Sequence, residues 1–115
     1  MPLISRVHIS DPLLSWVIYA VAGIFLIGAI VNFVGPASIR QEYAQWGYHP
    51  SFRFVTAALE GAAFVLIMNS STRSIGLVLG ALIMLGAIGT LFRAHQFAQS
   101  IPAAVVLVLS VLLIG

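Results

Sequence analysis

The sequence contains no cysteine and no lysine, and it has few charged residues of any kind. The absence of cysteine excludes disulfide bonds, thiolate metal sites, cysteine nucleophiles and thiol redox chemistry. Charged residues make up 7% of the chain, whereas soluble domains carry about 25%. With so few charges and no run of basic residues, the sequence favours neither a soluble fold nor a nucleic-acid-binding protein.

Hydrophobic residues make up 61% of the chain and are concentrated in four long runs. The runs cover residues 13–34, 52–68, 74–92 and 101–115. Backbone polar groups in lipid must be bonded within the structure, and runs this long and continuous form helices rather than barrel strands. A transmembrane helix needs about 20 residues, so the fourth run must begin earlier or cross a thinned bilayer. We therefore predict an all-α fold, an integral membrane four-helix bundle that forms a single transmembrane domain over residues 1–115.

A short amphipathic helix is predicted between the first and second runs, in the segment 36–50. Its apolar residues, beginning at Ile39, recur at helical intervals with polar residues between them, and Gly47 ends the pattern. Such a helix lies on the membrane surface, where aromatic rings and long arginine side chains reach the headgroups. We expect four side chains at this interface: Tyr43, Trp46, Tyr48 and Arg53.

Glu60 lies in the middle of the second run, where an unpaired carboxylate is costly. Since successive helices alternate in direction, the end of the first run, the start of the second and the end of the third share one side of the bundle. We therefore expect a buried contact between Glu60 and Arg93 inside a polar pocket. The predicted members of the pocket are Asn32, Thr56, Glu60, Arg93 and His95. The pocket either handles protons or a ligand, or it only fixes the order of the helices, and the residues alone leave both interpretations open.

No arrangement of residues points to catalysis by the chain itself. The three histidines are scattered without the spacing of a metal or haem site. A nucleophile–base motif, a phosphate loop and a dinucleotide fingerprint are also missing from the sequence. We expect no metal site, no catalytic residue and no evident cofactor, and we expect the chain not to be an enzyme on its own.

Five short motifs resemble those of the DoxX-like family of small four-helix membrane proteins. They are NFVGP at 32–36, WGYHP at 46–50, LEG at 59–61, TRSIG at 72–76 and RAH at 93–95. The resemblance implies a multi-pass protein of the bacterial cytoplasmic (inner) membrane with both termini in the cytoplasm. Family members often have a lysine where this chain has Asn32. A glutamate–lysine pair is therefore absent here, and Arg93 becomes the expected partner of Glu60.

The resemblance also implies a role, because the founding member of the family is linked to a quinone-reducing oxidoreductase complex. We expect an accessory or quinone-binding subunit of a membrane redox complex. Its expected partners are membrane lipid, a larger membrane or soluble oxidoreductase subunit, and a second copy of the chain. One alternative is a proton-coupled exporter similar to the small multidrug resistance family, although that family places its essential glutamate in the first span, which here is free of acid. The other alternative is a structural or assembly factor in which Glu60 only orders the helices.

Overall fold

The structure, a computed structural model, describes residues 12–114, and all regular structure in this part of the chain is helical. The five α-helices are α1 (Pro12–Val34), α2 (Ala37–Gln45), α3 (Phe52–Met68), α4 (Arg73–Arg93) and α5 (Ser100–Leu113), and a 3-10 turn (Phe97–Gln99) leads into α5. The all-α prediction is confirmed, and α2 is the short helix predicted between the first two runs. Residues 1–11 and Gly115, which the predicted domain includes, lie outside the described residues.

Two glycines separate α2 from its neighbours. Gly35 and Gly47 have φ angles of 65° and 80°, which residues with a side chain rarely adopt. The amide of Gly35 still donates to the carbonyl of Val31, so α1 ends in a closed turn before the chain changes direction. These turns bring α2 back against α3, where Tyr43 becomes buried.

The long helices pack in chain order, with α1 against α3, α3 against α4, and α4 against α5. α1 and α3 run antiparallel. Gly28 of α1 lies beside Glu60, whereas Gly35, further along the chain, lies beside Arg53, which is earlier in α3. The centre of this packing is apolar and tightly filled. Its largest fully buried apolar side chains are Val21, Phe25, Ile67 and Leu77.

Close approach of α4 to its neighbours depends on Gly76 and Gly80. A Cβ atom at Gly76 would lie 2.7 Å from the backbone nitrogen of Ile67 in α3. A Cβ atom at Gly80 would lie 2.6 Å from the ring of Phe25, which reaches across from α1. The GxxxG motif of α4 therefore packs against other helices of the same chain.

Two of the described helices, α1 and α4, are long and apolar enough to cross a membrane. α3 has 17 residues and α5 has 14, so both are shorter than a standard span. Large apolar side chains point away from the packed centre along α1, with Trp16 72% exposed and Ile27 63% exposed. Soluble monomers rarely expose apolar surface of this extent, and such surfaces mark contact with a membrane or with another protein.

Candidate functional site

A hydrogen-bonded network joins Tyr43, Asn32 and Glu60, which come from three different helices. Glu60 is buried in α3, and its Oε1 accepts a hydrogen bond of 2.8 Å from Nδ2 of Asn32 in α1. Nδ2 of Asn32 also donates to the carbonyl of Gly28 at 2.9 Å, which fixes the orientation of the amide. The hydroxyl of Tyr43 in α2 donates to Oδ1 of Asn32 at 2.7 Å. The buried acid is therefore compensated by an amide, and we call these three residues the Tyr43–Asn32–Glu60 network.

Gly28 provides the space that the carboxyl group of Glu60 occupies. A Cβ atom at this position would collide with Oε2 and Cδ of Glu60. The carboxyl group therefore lies directly against the backbone of α1, within reach of the Asn32 amide one helical turn later. The antiparallel packing of α1 and α3 places the two side chains at the same depth.

Tyr43 connects α2 to the network and is also part of an aromatic cluster. Burial raises the pKa of the Tyr43 phenol above its ordinary value. The phenol therefore stays protonated near neutral pH and donates to Asn32. Its ring centroid lies 5.2 Å from that of Trp46 and 6.4 Å from that of Phe52. Tyr48 stacks against Phe52 at 4.9 Å, so the cluster is continuous.

A cavity of about 390 Å³ lies between α2, α3 and α4. Its size is within the range of small-molecule sites in proteins. The walls are mainly apolar and aromatic, and their polar side chains are those of the network together with Glu42, Trp46, Tyr48, Thr56 and Thr90. The lining residues are Asn32, Ile39, Glu42, Tyr43, Trp46, Tyr48, Phe52, Thr56, Leu59, Glu60, Leu82, Ile83, Met84, Gly86, Ala87, Thr90 and Leu91.

Side chains of the segment after α2 bind the end of α4 and close this side of the cavity. The hydroxyls of Tyr48 and Thr90 are hydrogen-bonded to each other. Nε1 of Trp46 donates to Oε1 of Gln96 at 3.0 Å. The sequence predicted that both aromatic residues lie at the membrane interface, but it did not predict the role of Thr90 or Gln96. An indole nitrogen needs a hydrogen-bond partner when it is partly buried. The polar residue Gln96, just after the third run, was therefore the signal from which its bond to Trp46 could have been predicted.

The structure places Arg93 away from Glu60. Nη2 of Arg93 donates to the carbonyl of Trp46 at 3.1 Å, and the guanidinium lies 5.2 Å from the centre of the Tyr48 ring. Arg93 is exposed at the last residue of α4, where it keeps its hydration and does not have to enter the apolar interior to reach an acid. The expected Glu60–Arg93 contact is not formed.

His95 also lies outside the cavity, whereas Asn32 and Thr56 line it. His95 has a φ angle of 58° and is exposed in the turn after α4, with its ring 5.9 Å from that of Phe97. Three of the five residues predicted to form the pocket are therefore brought together, and the two from the end of α4 are not. Within residues 12–114 no group of three histidine or acidic side chains is close enough to hold a metal ion.

All four arginines of the described residues donate to backbone carbonyl groups. Helix ends leave carbonyl groups without intrahelical partners, and arginine side chains satisfy several of them here. The bonds run from Arg40 to Gly35, from Arg53 to Asn32 and Phe33, from Arg73 to Ile67, and from Arg93 to Trp46. Arg53, which the sequence predicted at the interface, thus caps the end of α1.

Replacing Arg53 with methionine is expected to destabilise the protein by about 1 kcal/mol, because two carbonyl groups of α1 lose a charged donor. The measurement is thermal unfolding in detergent, followed by circular dichroism. Arg93→Met is the matched control, since this guanidinium donates to one carbonyl of a turn. An equal loss in both variants would contradict a capping role for Arg53.

Comparison with known families gives a match over most of the chain. The sequence model of the DoxX-like family matches residues 16–113, which include the whole network and every residue that lines the cavity. The comparisons with curated proteins and with solved structures found no match.

Proposed function

This chain belongs to the DoxX-like family of membrane proteins, and from this premise we propose that it binds a quinone-like molecule as an accessory subunit of a membrane redox complex. The observation that carries the proposal is a buried carboxyl group with neighbouring hydroxyls at the wall of a mainly apolar cavity. The chain itself binds and orients the ligand, and the electron transfer takes place in a larger partner enzyme.

We propose four spans, formed by α1, α3, α4 and α5, with α2 on the membrane surface. The apolar exposed side chains and the length of α1 and α4 support this arrangement. The 3-10 turn before α5 adds length to this helix, the shortest of the four proposed spans, as the sequence required. An even number of spans puts both termini on one side, and we propose that this side is the cytoplasm of a bacterial cell.

The shape and chemistry of the cavity suit a flat ring with polar oxygens at its edge. Trp46, Tyr48 and Phe52 provide aromatic surfaces for stacking. The carboxyl of Glu60 can accept a hydrogen bond from a quinol hydroxyl when ionised, or donate to a quinone carbonyl when protonated. The hydroxyl of Thr56 also lines the cavity as a second polar group, where it donates to the Phe52 carbonyl over a long distance of 3.3 Å and lies within hydrogen-bond reach of the Tyr43 hydroxyl. Arg93 and His95, which the sequence predicted in the pocket, lie outside the cavity and have no part in this assignment.

Tryptophan fluorescence provides a direct binding assay, because the chain has two tryptophans and only Trp46 lines the cavity. In a Trp16→Phe background, titration with a short-chain benzoquinone or naphthoquinone is expected to quench the emission of Trp46 saturably. A Trp46→Phe variant, which keeps the exposed Trp16, reports the non-specific partition of quinone into detergent.

Two glycines of α4 provide a matched pair for filling the cavity. A Cβ atom at either Gly86 or Gly89 would meet nothing within 4 Å, but only Gly86 lines the cavity. Gly86→Leu is expected to weaken quinone binding at least about tenfold, which corresponds to about 1.4 kcal/mol. Gly89→Leu is expected to bind as the parent protein does.

Equal quenching in both glycine variants would remove the cavity as the binding site. Glu60→Gln separates the two roles of the carboxyl group, since unchanged affinity in this variant would leave Glu60 a purely structural residue. If a larger enzyme co-purifies with the chain and the chain binds no quinone, a role as an assembly factor is favoured. Proton-driven dye efflux from proteoliposomes would favour the exporter.

A further inference from the structure

A second pocket, of about 410 Å³, lies on another side of α2 and contains basic rather than acidic residues. Its polar lining comes from Arg40 in α2, from His49 and Ser51 in the turn before α3, and from Arg53 in the first turn of α3. Tyr43 and Tyr48 line both this pocket and the cavity described above, so the two spaces adjoin at these residues. We call it the basic pocket.

The basic pocket has more hydrogen-bond donors than the protein uses. Arg40 donates to a carbonyl only through Nε, and Arg53 only through Nη1. Each guanidinium has five N–H groups, so most of its donors remain available to a ligand. Nδ1 of His49 is hydrogen-bonded to the Ser51 hydroxyl at 2.7 Å, which holds the imidazole at the pocket.

The charge of the basic pocket is uncompensated within the part of the chain that the structure describes. No acidic side chain lines it, and neither guanidinium forms an ion pair with a described carboxylate. The carbonyl bonds hold both guanidinium groups in place without neutralising them. Two fixed arginines with free donors form a site for an anion that has several acceptor oxygens.

We infer that the basic pocket binds a phosphate group, supplied by the headgroup of an anionic phospholipid. The inference rests on the proposed position of α2 at the membrane surface, where phospholipid phosphates are concentrated. Phosphate accepts bidentate hydrogen bonds from guanidinium groups, and two fixed guanidinium groups at the level of the headgroups can form such bonds. Free phosphate has the same chemistry, so the experiment compares the two sources.

The purified protein is placed in nanodiscs that contain equal amounts of phosphatidylglycerol and phosphatidylcholine. Native mass spectrometry of the released protein then counts the molecules of each lipid that stay bound. The wild-type chain is expected to retain phosphatidylglycerol preferentially. Arg40→Gln is expected to lower the apparent affinity for phosphatidylglycerol about fivefold, the effect of one arginine near an anionic surface. Arg40→Lys, which keeps the charge, is expected to recover part of the loss.

Arg73→Gln is the matched control, because Arg73 donates to the carbonyl of Ile67 and does not line the basic pocket. It is expected to retain phosphatidylglycerol as the wild type does. His49→Gln gives a second variant that leaves the arginine bonds to carbonyl groups at the end of α1 intact, which keeps the test valid if Arg40→Gln fails to fold. A smaller loss of phosphatidylglycerol is expected there.

Millimolar inorganic phosphate distinguishes the two sources. Displacement of the bound lipid by phosphate supports recognition of the phosphate group itself. If phosphate does not displace the lipid, and only the Arg40→Gln variant loses it, the pocket recognises the whole headgroup. Equal binding of the two lipids, or an equal loss in Arg73→Gln and Arg40→Gln, would overturn the inference. The quinone titration in the Arg40→Gln protein is expected to be unchanged, so failure of one proposal is separable from failure of the other.

Discussion

Replacing Asn32 with leucine is expected to destabilise the protein by about 3 kcal/mol, because two buried groups lose their partner at once. Glu60 loses the donor to Oε1, and Tyr43 loses the acceptor for its hydroxyl. Each unsatisfied buried polar group costs about 1–3 kcal/mol, and a charged group costs more. The expected fall in the unfolding temperature is about 10 °C or more, measured by circular dichroism since thiol-reactive dyes have no cysteine to label.

Two further variants show whether the loss comes from the network. Glu60→Gln keeps an oxygen that accepts from Asn32, so it is expected to cost less than about 1 kcal/mol. The double variant Asn32→Leu with Glu60→Leu removes the buried acid together with its donor, and it is expected to be more stable than Asn32→Leu alone. A double variant less stable than Asn32→Leu would show that the carboxyl group stabilises the fold without its amide partner.

The meeting of Asn32, Thr56 and Glu60 at one cavity follows from the sequence by helix geometry alone. Thr56 and Glu60 are four residues apart on one helix and so share a face. Asn32 lies near the end of the preceding run, and antiparallel packing brings that end to the start of the next helix. These relations depend only on the length and alternation of the apolar runs, which the sequence shows clearly.

The partner of Glu60 was harder to predict. The sequence shows which side chains are long enough to reach Glu60, but not which other acceptors compete for them. Arg93 is long enough to reach inward, but the carbonyl of Trp46 is a nearer acceptor. Because relatives often have lysine at this position, Asn32 was interpreted as the loss of a basic partner for Glu60. Its amide nitrogen in fact serves as the donor to Glu60 without carrying a charge. A buried amide costs less to desolvate than a buried cation, which makes it the better donor at this depth.

The contribution of α2 could be predicted only in part. The amphipathic spacing predicts the helix and its aromatic face, but not that Tyr43 turns toward Asn32. That orientation depends on the positive φ angles of Gly35 and Gly47, which fix the direction of α2 relative to α3. Glycine in a turn permits many directions, so the sequence predicts a change of direction but not which one.

Replacing Gly76 with alanine is expected to destabilise the protein by about 2–3 kcal/mol, although alanine favours a helix over glycine by about 1 kcal/mol. The new Cβ would lie 2.7 Å from the backbone nitrogen of Ile67 and 2.8 Å from Cβ of Leu66. Backbone atoms cannot rotate away, so α3 and α4 must separate, and the packing around the fully buried Ile67 is lost. Gly86→Ala is the matched control on the same helix, since its Cβ would meet nothing within 4 Å. Alanine there is expected to stabilise the protein by up to about 1 kcal/mol. The two substitutions are therefore expected to shift the unfolding temperature in opposite directions, and a stabilising Gly76→Ala would show that α3 and α4 do not pack at this distance.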